Sequence, residues 1–146
     1  MIKLFLRLVG LLASKFIKTD KLSVKFPISV KGVIENEKGY LLLKNERDEW
    51  DFPGGKLESG ESVQNTLIRE FNEETSLNIS VQGLSYAELS TSNDVEVVIL
   101  IYMAKVIDTN PIELSFEHHE YDFFSKSEIA QLKTPSWVDQ LMDIIT

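Results

Sequence analysis

Glu70, Glu73 and Glu74 stand three and four residues apart in a stretch whose apolar residues recur at helical spacing. Val63, Leu67 and Phe71 at i, i+4 and i+8 form one stripe of a helix, and Ser62 is placed to cap its start. At about 100° per residue, the three glutamates fall within one arc beside that stripe. Carboxylates so placed repel one another, and the negative end of the helix dipole disfavours them further. A bound cation would resolve the conflict. With no cysteine and only two histidines, His118 and His119, the chain offers oxygen ligands, which suit Mg²⁺ or Mn²⁺ rather than zinc.

A solvated acidic face is the plain alternative. It loses ground because Trp50-Asp51-Phe52-Pro53-Gly54-Gly55 places two adjacent glycines after a proline, a pattern that brings bare backbone close to a ligand. A backbone carbonyl there can reach the same ion. Trp50 and Phe52 flank Asp51; an aromatic at this point offers a stacking face for a base or sugar, although core packing is the expectation for Phe52.

These residues resemble the signature of the Nudix hydrolases: Gly, five residues, Glu, seven residues, Arg-Glu, an apolar residue, any residue, Glu-Glu, any residue, Gly, apolar. Gly55, Glu61, Arg69, Glu70, Phe71, Glu73, Glu74 and Leu77 fit in register, and Ser76 stands where the family has glycine. The resemblance implies a metal-dependent pyrophosphohydrolase that cleaves a nucleoside diphosphate linked to another moiety X. Carried over by position, it makes Glu70, Glu73 and Glu74 ligands of Mg²⁺ or Mn²⁺, with the Gly54 carbonyl adding another. Glu73, Glu74 and Arg69 become catalytic positions, with Arg69 orienting the cluster through charge-assisted hydrogen bonds that include Glu61. The implied fold is α/β (α+β), a Nudix-like α/β/α sandwich with a mixed β-sheet between helices. The competing reading is a Nudix-fold nucleotide-binding or regulatory module without hydrolysis; the presence of all three glutamates and Arg69 favours the enzyme.

Strands must position this helix. From Leu22 the period changes to two, and Ile28–Ile34, a turn at Glu35–Gly39 and the apolar run Tyr40–Leu43 predict a two-stranded hairpin leading to the glycine turn. Lys44–Glu49 reads as a charged surface loop, Ile79–Ser92 as a weaker strand, and Val95–Val106, apolar on both faces after Glu96, as a central one. Ser127–Leu132 predicts a short helix. Thr134 as N-cap with Pro135 at the first turn predicts a last helix whose apolar face is Trp137, Val138, Leu141, Ile144 and Ile145. Many proteins resembling the family carry a further glutamate on a loop before an aromatic strand. Glu117 fits that place better than Glu120, as a metal ligand or as the base for the attacking water, against a solvated loop as the alternative. His118 and His119, being adjacent, point to different sides of an extended segment, so one of them at most faces the substrate.

The 146 residues suit one domain with a sizeable core. Net charge of −8 argues against sequence-independent binding to nucleic acid, which needs a cationic surface, but not against a phosphate-bearing small molecule held through a metal. The absence of cysteine fits a reducing compartment, and a cytoplasmic location is expected. Charge is uneven: residues 1–31 carry seven Lys or Arg against Asp20 alone, a balance of +6, which leaves −14 for residues 32–146. Residues 1–20 predict an amphipathic basic helix ahead of a Nudix domain over 21–146. Its wide apolar arc suits packing on its own domain or in a homodimer, and membrane contact through the basic stripe ranks below these.

Overall fold

The computed structural model describes residues 25–92 and 94–145. Its elements run β1 (Ile28–Val33), β2 (Glu35–Asn36), β3 (Gly39–Lys44), β4 (Trp50–Asp51), β5 (Gly54–Lys56), α1 (Val63–Thr75), β6 (Ile79–Ser92), β7 (Val95–Val106), β8 (Glu120–Phe124), α2 (Lys126–Ile129) and α3 (Ser136–Ile144).

Two sheets form. The first is mixed, in the order β5-β1-β7-β6, with β1 parallel to β7 and the other pairs antiparallel. The second is antiparallel, with β2, β4 and β8 all pairing on β3. Because successive strand residues face opposite sides, β3 feeds two cores at once. Leu41 and Leu43 pack with Val30 and with Leu67 and Phe71 of α1. Tyr40 and Leu42 pack with Ile99 and Ile101 and with Trp137, Val138 and Leu141 of α3. Helices therefore cover both faces, and β7 lies between β1 and β6 as its apolar run predicts. Leu67 and Phe71 are fully buried, each worth roughly 1.5–3 kcal/mol, so the stripe that sinks them fixes the rotation of α1 and thereby the direction of its glutamates.

Two expectations are corrected. Ile28–Ile34 and Tyr40–Leu43 do not form one hairpin. Both edges of β1 are taken by β5 and β7, and only Glu35–Asn36 turns back on Gly39–Tyr40. The last helix begins one residue later than expected, with Pro135 rather than Thr134 at the cap position and no side-chain cap bond. Its buried face runs through Trp137, Val138, Leu141 and Met142, while Ile144 is exposed. The expected helix over residues 1–20 lies outside the described residues.

Candidate active site

The site begins where β5 meets α1. Ser62 Oγ accepts from Asn65 N at 3.1 Å and starts the helix. Gly54 has φ of +130°, and a Cβ there would collide with the Val30 carbonyl across the β1–β5 pair. A Cβ at Gly55 would fall on the Glu70 carboxylate. Bare backbone is what lets the strand lie against the helix. The amide of Gly54 donates to Glu74 Oε2 at 2.8 Å, tying β5 to the last turn of α1.

Arg69 gathers the other acids. Its Nε and Nη2 reach the two oxygens of Glu61 at 2.7 and 3.0 Å, and its Nη1 reaches Glu70 at 2.9 Å and Glu73 at 3.1 Å. Thr66 Oγ1 also donates to Glu61 at 2.8 Å. The hydrogen bonds from Arg69 and then Thr66 hold the Glu61 carboxyl down at about 2. Burial pushes Glu70 upward despite Arg69. Burial likewise lifts Glu74 to about 7, against the pull of Lys31 and the Gly54 amide. In both carboxyls desolvation outweighs the pull of the nearby cation, Arg69 at Glu70 and Lys31 at Glu74.

Lys31, directly opposite Gly54 in the β1–β5 register, closes the floor. Its ammonium lies 2.9 Å from Asp51 Oδ2, 3.1 Å from the Phe52 carbonyl and 3.1 Å from the Gly54 carbonyl. Burial pulls the Lys31 pKa down, but Asp51, Glu74 and Glu70 together outweigh it and the net shift is upward. Lys31 stays charged. His118 Nε2 stands 3.6 Å from Glu74 Oε1, beyond hydrogen-bond reach, and burial followed by Lys31 lowers its pKa, which keeps the imidazole neutral.

Glu117 and His118 are carried by the loop before β8, which is pinned to the end of α1 by Glu113 N to Thr75 O and Ser115 N to Glu74 O at 3.0 and 3.1 Å. Together these elements enclose a cleft of about 740 Å³ lined by Gly54, Gly55, Arg69, Glu70, Glu73, Glu74 and Glu117 among others. Seven carboxylates line it against four Lys or Arg. Glu61 sits behind Arg69, outside the lining. Among the described residues no three His, Asp or Glu side chains converge closely enough to enclose an ion as they stand. Arg69 draws Glu70 and Glu73 one way, and the Gly54 amide draws Glu74 another. The donor set nonetheless fits a hard divalent ion in kind: carboxylates in excess of cations, plus a Gly54 carbonyl whose second lone pair Lys31 leaves open.

Glu120 is turned away to Lys44 at 3.2 Å, and His119 is exposed. Trp50 lines no part of the cleft; its ring packs edge-on against Phe124, with centroids 4.8 Å apart. Sequence reasoning missed Lys31 and Asp51. The available signal was a lone cation between Val30 and Gly32 in a strand buried on its other face.

A family model described as the NUDIX domain matches residues 25–143, so the chain belongs to the Nudix hydrolase family. An ADP-ribose pyrophosphatase of Methanocaldococcus jannaschii is 27% identical over 122 residues, 80% of this chain and 72% of that protein. An uncharacterised Nudix hydrolase of Bacillus subtilis is 52% identical over 44 residues, 30% of this chain and 28% of that one. The crystal structure of a MutT protein from Methanosarcina mazei, 27% identical, superposes with a TM-score of 0.72 over 83% of this chain and 94% of its own.

Proposed function

We propose that this Nudix hydrolase cleaves a phosphoanhydride bond in a nucleoside diphosphate linked to another moiety X, using Mg²⁺ or Mn²⁺. The observation that carries the reading is a single cleft bringing together the α1 carboxylates, the Gly54 carbonyl and Glu117 from a separate loop. Glu70, Glu73, Glu74 and the Gly54 carbonyl would hold the ion, which when bound supplies Lewis-acid polarisation of a phosphoryl oxygen and a water of lowered pKa. Arg69, locked on Glu61, sets the directions of Glu70 and Glu73, while the Gly54 amide sets that of Glu74. Glu117, on the exposed rim, accepts the proton of the attacking water. The water oxygen bonds to phosphorus, the bridging P–O bond breaks, and the leaving phosphate carries the electron pair away.

A panel of nucleoside triphosphates, ADP-ribose, dinucleoside polyphosphates and nucleotide sugars with Mg²⁺, run against Glu74→Gln, tests this. We expect at least one compound to turn over about 10- to 100-fold or more above the variant, since disturbing even the groups that orient metal ligands costs on that scale. No turnover of any compound above the variant's background would remove the enzymatic reading and leave the nucleotide-binding module in its place.

A further inference from the structure

The face of the first sheet that carries α1 is covered on one side only. Its rows follow from the strand register: Ile28, Val98 and Leu89 stand side by side, then Val30, Leu100 and Ala87, then Gly32, Tyr102 and Leu84. On β1 the cover is complete, with Val30 fully buried and Gly32 beneath Phe71 of α1. Toward the edge strand β6 it stops. Leu84 is 55% and Leu89 48% exposed, and Val98 and Leu100 are half-buried. Ile68 of α1, 39% exposed, lies across the Leu67–Phe71 stripe from Glu70 and Glu73, on the flank nearer this strip. The described residues thus leave a continuous apolar strip in water, the kind of surface that marks a contact.

Its occupant follows from where the chain enters the sheet. Val98 N donates to the Pro27 carbonyl at 2.9 Å, so β1 is entered at the Ile28–Val98–Leu89 row, one end of the strip. Residues 1–24 precede that point and include the apolar arc predicted from the sequence. As a helix, residues 2–17 would be about 24 Å long, against about 17 Å from Leu84 to Leu89 along β6. Residues 18–24 remain as a connector reaching at most about 25 Å, enough to fold the helix back over the sheet. A tether this short holds the arc near the strip at an effective concentration on the order of millimolar, which a second copy must match from bulk solution. Lipid would cover the arc and leave the strip wet. Docking within the chain removes both apolar surfaces from water and keeps the stripe of Lys3, Arg7 and Lys18 outside, with exposed Glu96 at the end of the strip to face it.

We propose that residues 2–17 dock as an amphipathic helix on this strip of their own domain, with the apolar arc on Leu84, Leu89, Val98 and Ile68. The contact braces α1 on the flank away from Glu70 and Glu73, so it supports the carboxylate helix without entering the cleft. It stands whether or not the chain is a hydrolase.

The chain has no cysteine, so introduced pairs report without background. In the full chain, Leu89→Cys is combined in turn with Phe5→Cys, Val9→Cys and Leu12→Cys, from the middle of the arc, and treated with a short bis-maleimide. At least one pair should link within a single chain, while the exposed Asp139→Cys on α3, over the opposite face, stays unlinked to the same partners. Links formed only between chains assign the strip to a second copy, and no link above the Asp139 control leaves it without this occupant; either result overturns the proposal. Hydrogen exchange gives an independent reading. Amides of residues 6–17 should be protected in the wild-type chain and exchange about tenfold or more faster in the double variant Leu84→Glu, Leu89→Glu, with β1 and β7 unchanged as the control for folding. Unprotected amides in wild type, or protection that survives the double variant, overturns the proposal. Should the double variant unfold, the cross-linking alone decides.

Discussion

Ser76 is the departure from the signature, and its backbone adopts the conformation for which glycine is the usual choice. It caps α1 with φ of 60° and ψ of 10°, its amide bonding Asn72 O at 2.9 Å and its hydroxyl without a partner among the described residues. Left-handed backbone at a residue with a Cβ costs on the order of 1 kcal/mol. Ser76→Gly should raise Tm by about 3 °C, less the offset from glycine's freedom in the unfolded chain, with hydrolysis unchanged because no carboxylate is lost. A clear fall in Tm by calorimetry would show that the Ser76 hydroxyl stabilises the cap. Glu61 yields a second expectation. Its carboxyl is held at about 2 against an ordinary 4.5, so its pairing with Arg69 stabilises the fold in full above pH 4.5 and is lost as pH falls through about 2. The Tm gap between wild type and Glu61→Gln should therefore be widest above pH 5 and shrink on acidification. A gap constant from pH 6 to pH 2.5 would assign the loss to packing instead.

At the level of elements, the site depends on how closely α1 lies on β1. Gly32 makes that contact: a Cβ there would run into the buried Phe71 ring and crowd Leu67. Gly32→Ala should cost about 1–3 kcal/mol by overpacking, read from urea unfolding. Because Phe71 shares its helix with Glu70 and Glu74, pushing the ring also displaces the carboxylates from Gly54, and a misplacement near 1 Å can cost about 100-fold in rate. Val138→Ala, in the core on the other face, should lose comparable stability while keeping kcat. If both variants lose kcat equally, global destabilisation rather than helix placement controls the rate.

For the molecule as a whole, the contrast between a basic first segment and an acidic remainder sets the question of what residues 1–20 meet. On our proposal their apolar arc lies on the bare strip of the first sheet, and the basic stripe meets solvent. Among the described residues no helix is long and apolar enough to cross a membrane. Sedimentation with anionic vesicles should leave the full chain in the supernatant. Salt-sensitive co-pelleting that disappears on deleting residues 1–20 would place the segment on lipid.

What was legible in the sequence is what neighbours along the chain decide. The Ser62 cap, the stripe through Leu67 and Phe71, the common face of Glu70, Glu73 and Glu74, the grip of Arg69 on Glu61 eight residues away and the positive φ at Ser76 all arise within α1 and its two ends. Helical geometry fixes those relations before any tertiary contact forms. The hairpin was misread because β1 finds better partners far away, β5 and β7, and a strand with both edges taken cannot also pair with β3. Lys31 against the Gly54 carbonyl joins residues 23 apart. The bare strip on the first sheet assembles Ile28, Val98 and Leu89 from three strands. Periodicity reports which face of an element is apolar, not which distant element will cover it. The chain by itself thus determined the carboxylate-bearing helix and the hydrolase family, and only the tertiary structure decided what stands opposite that helix, because strand pairing between distant segments sets it.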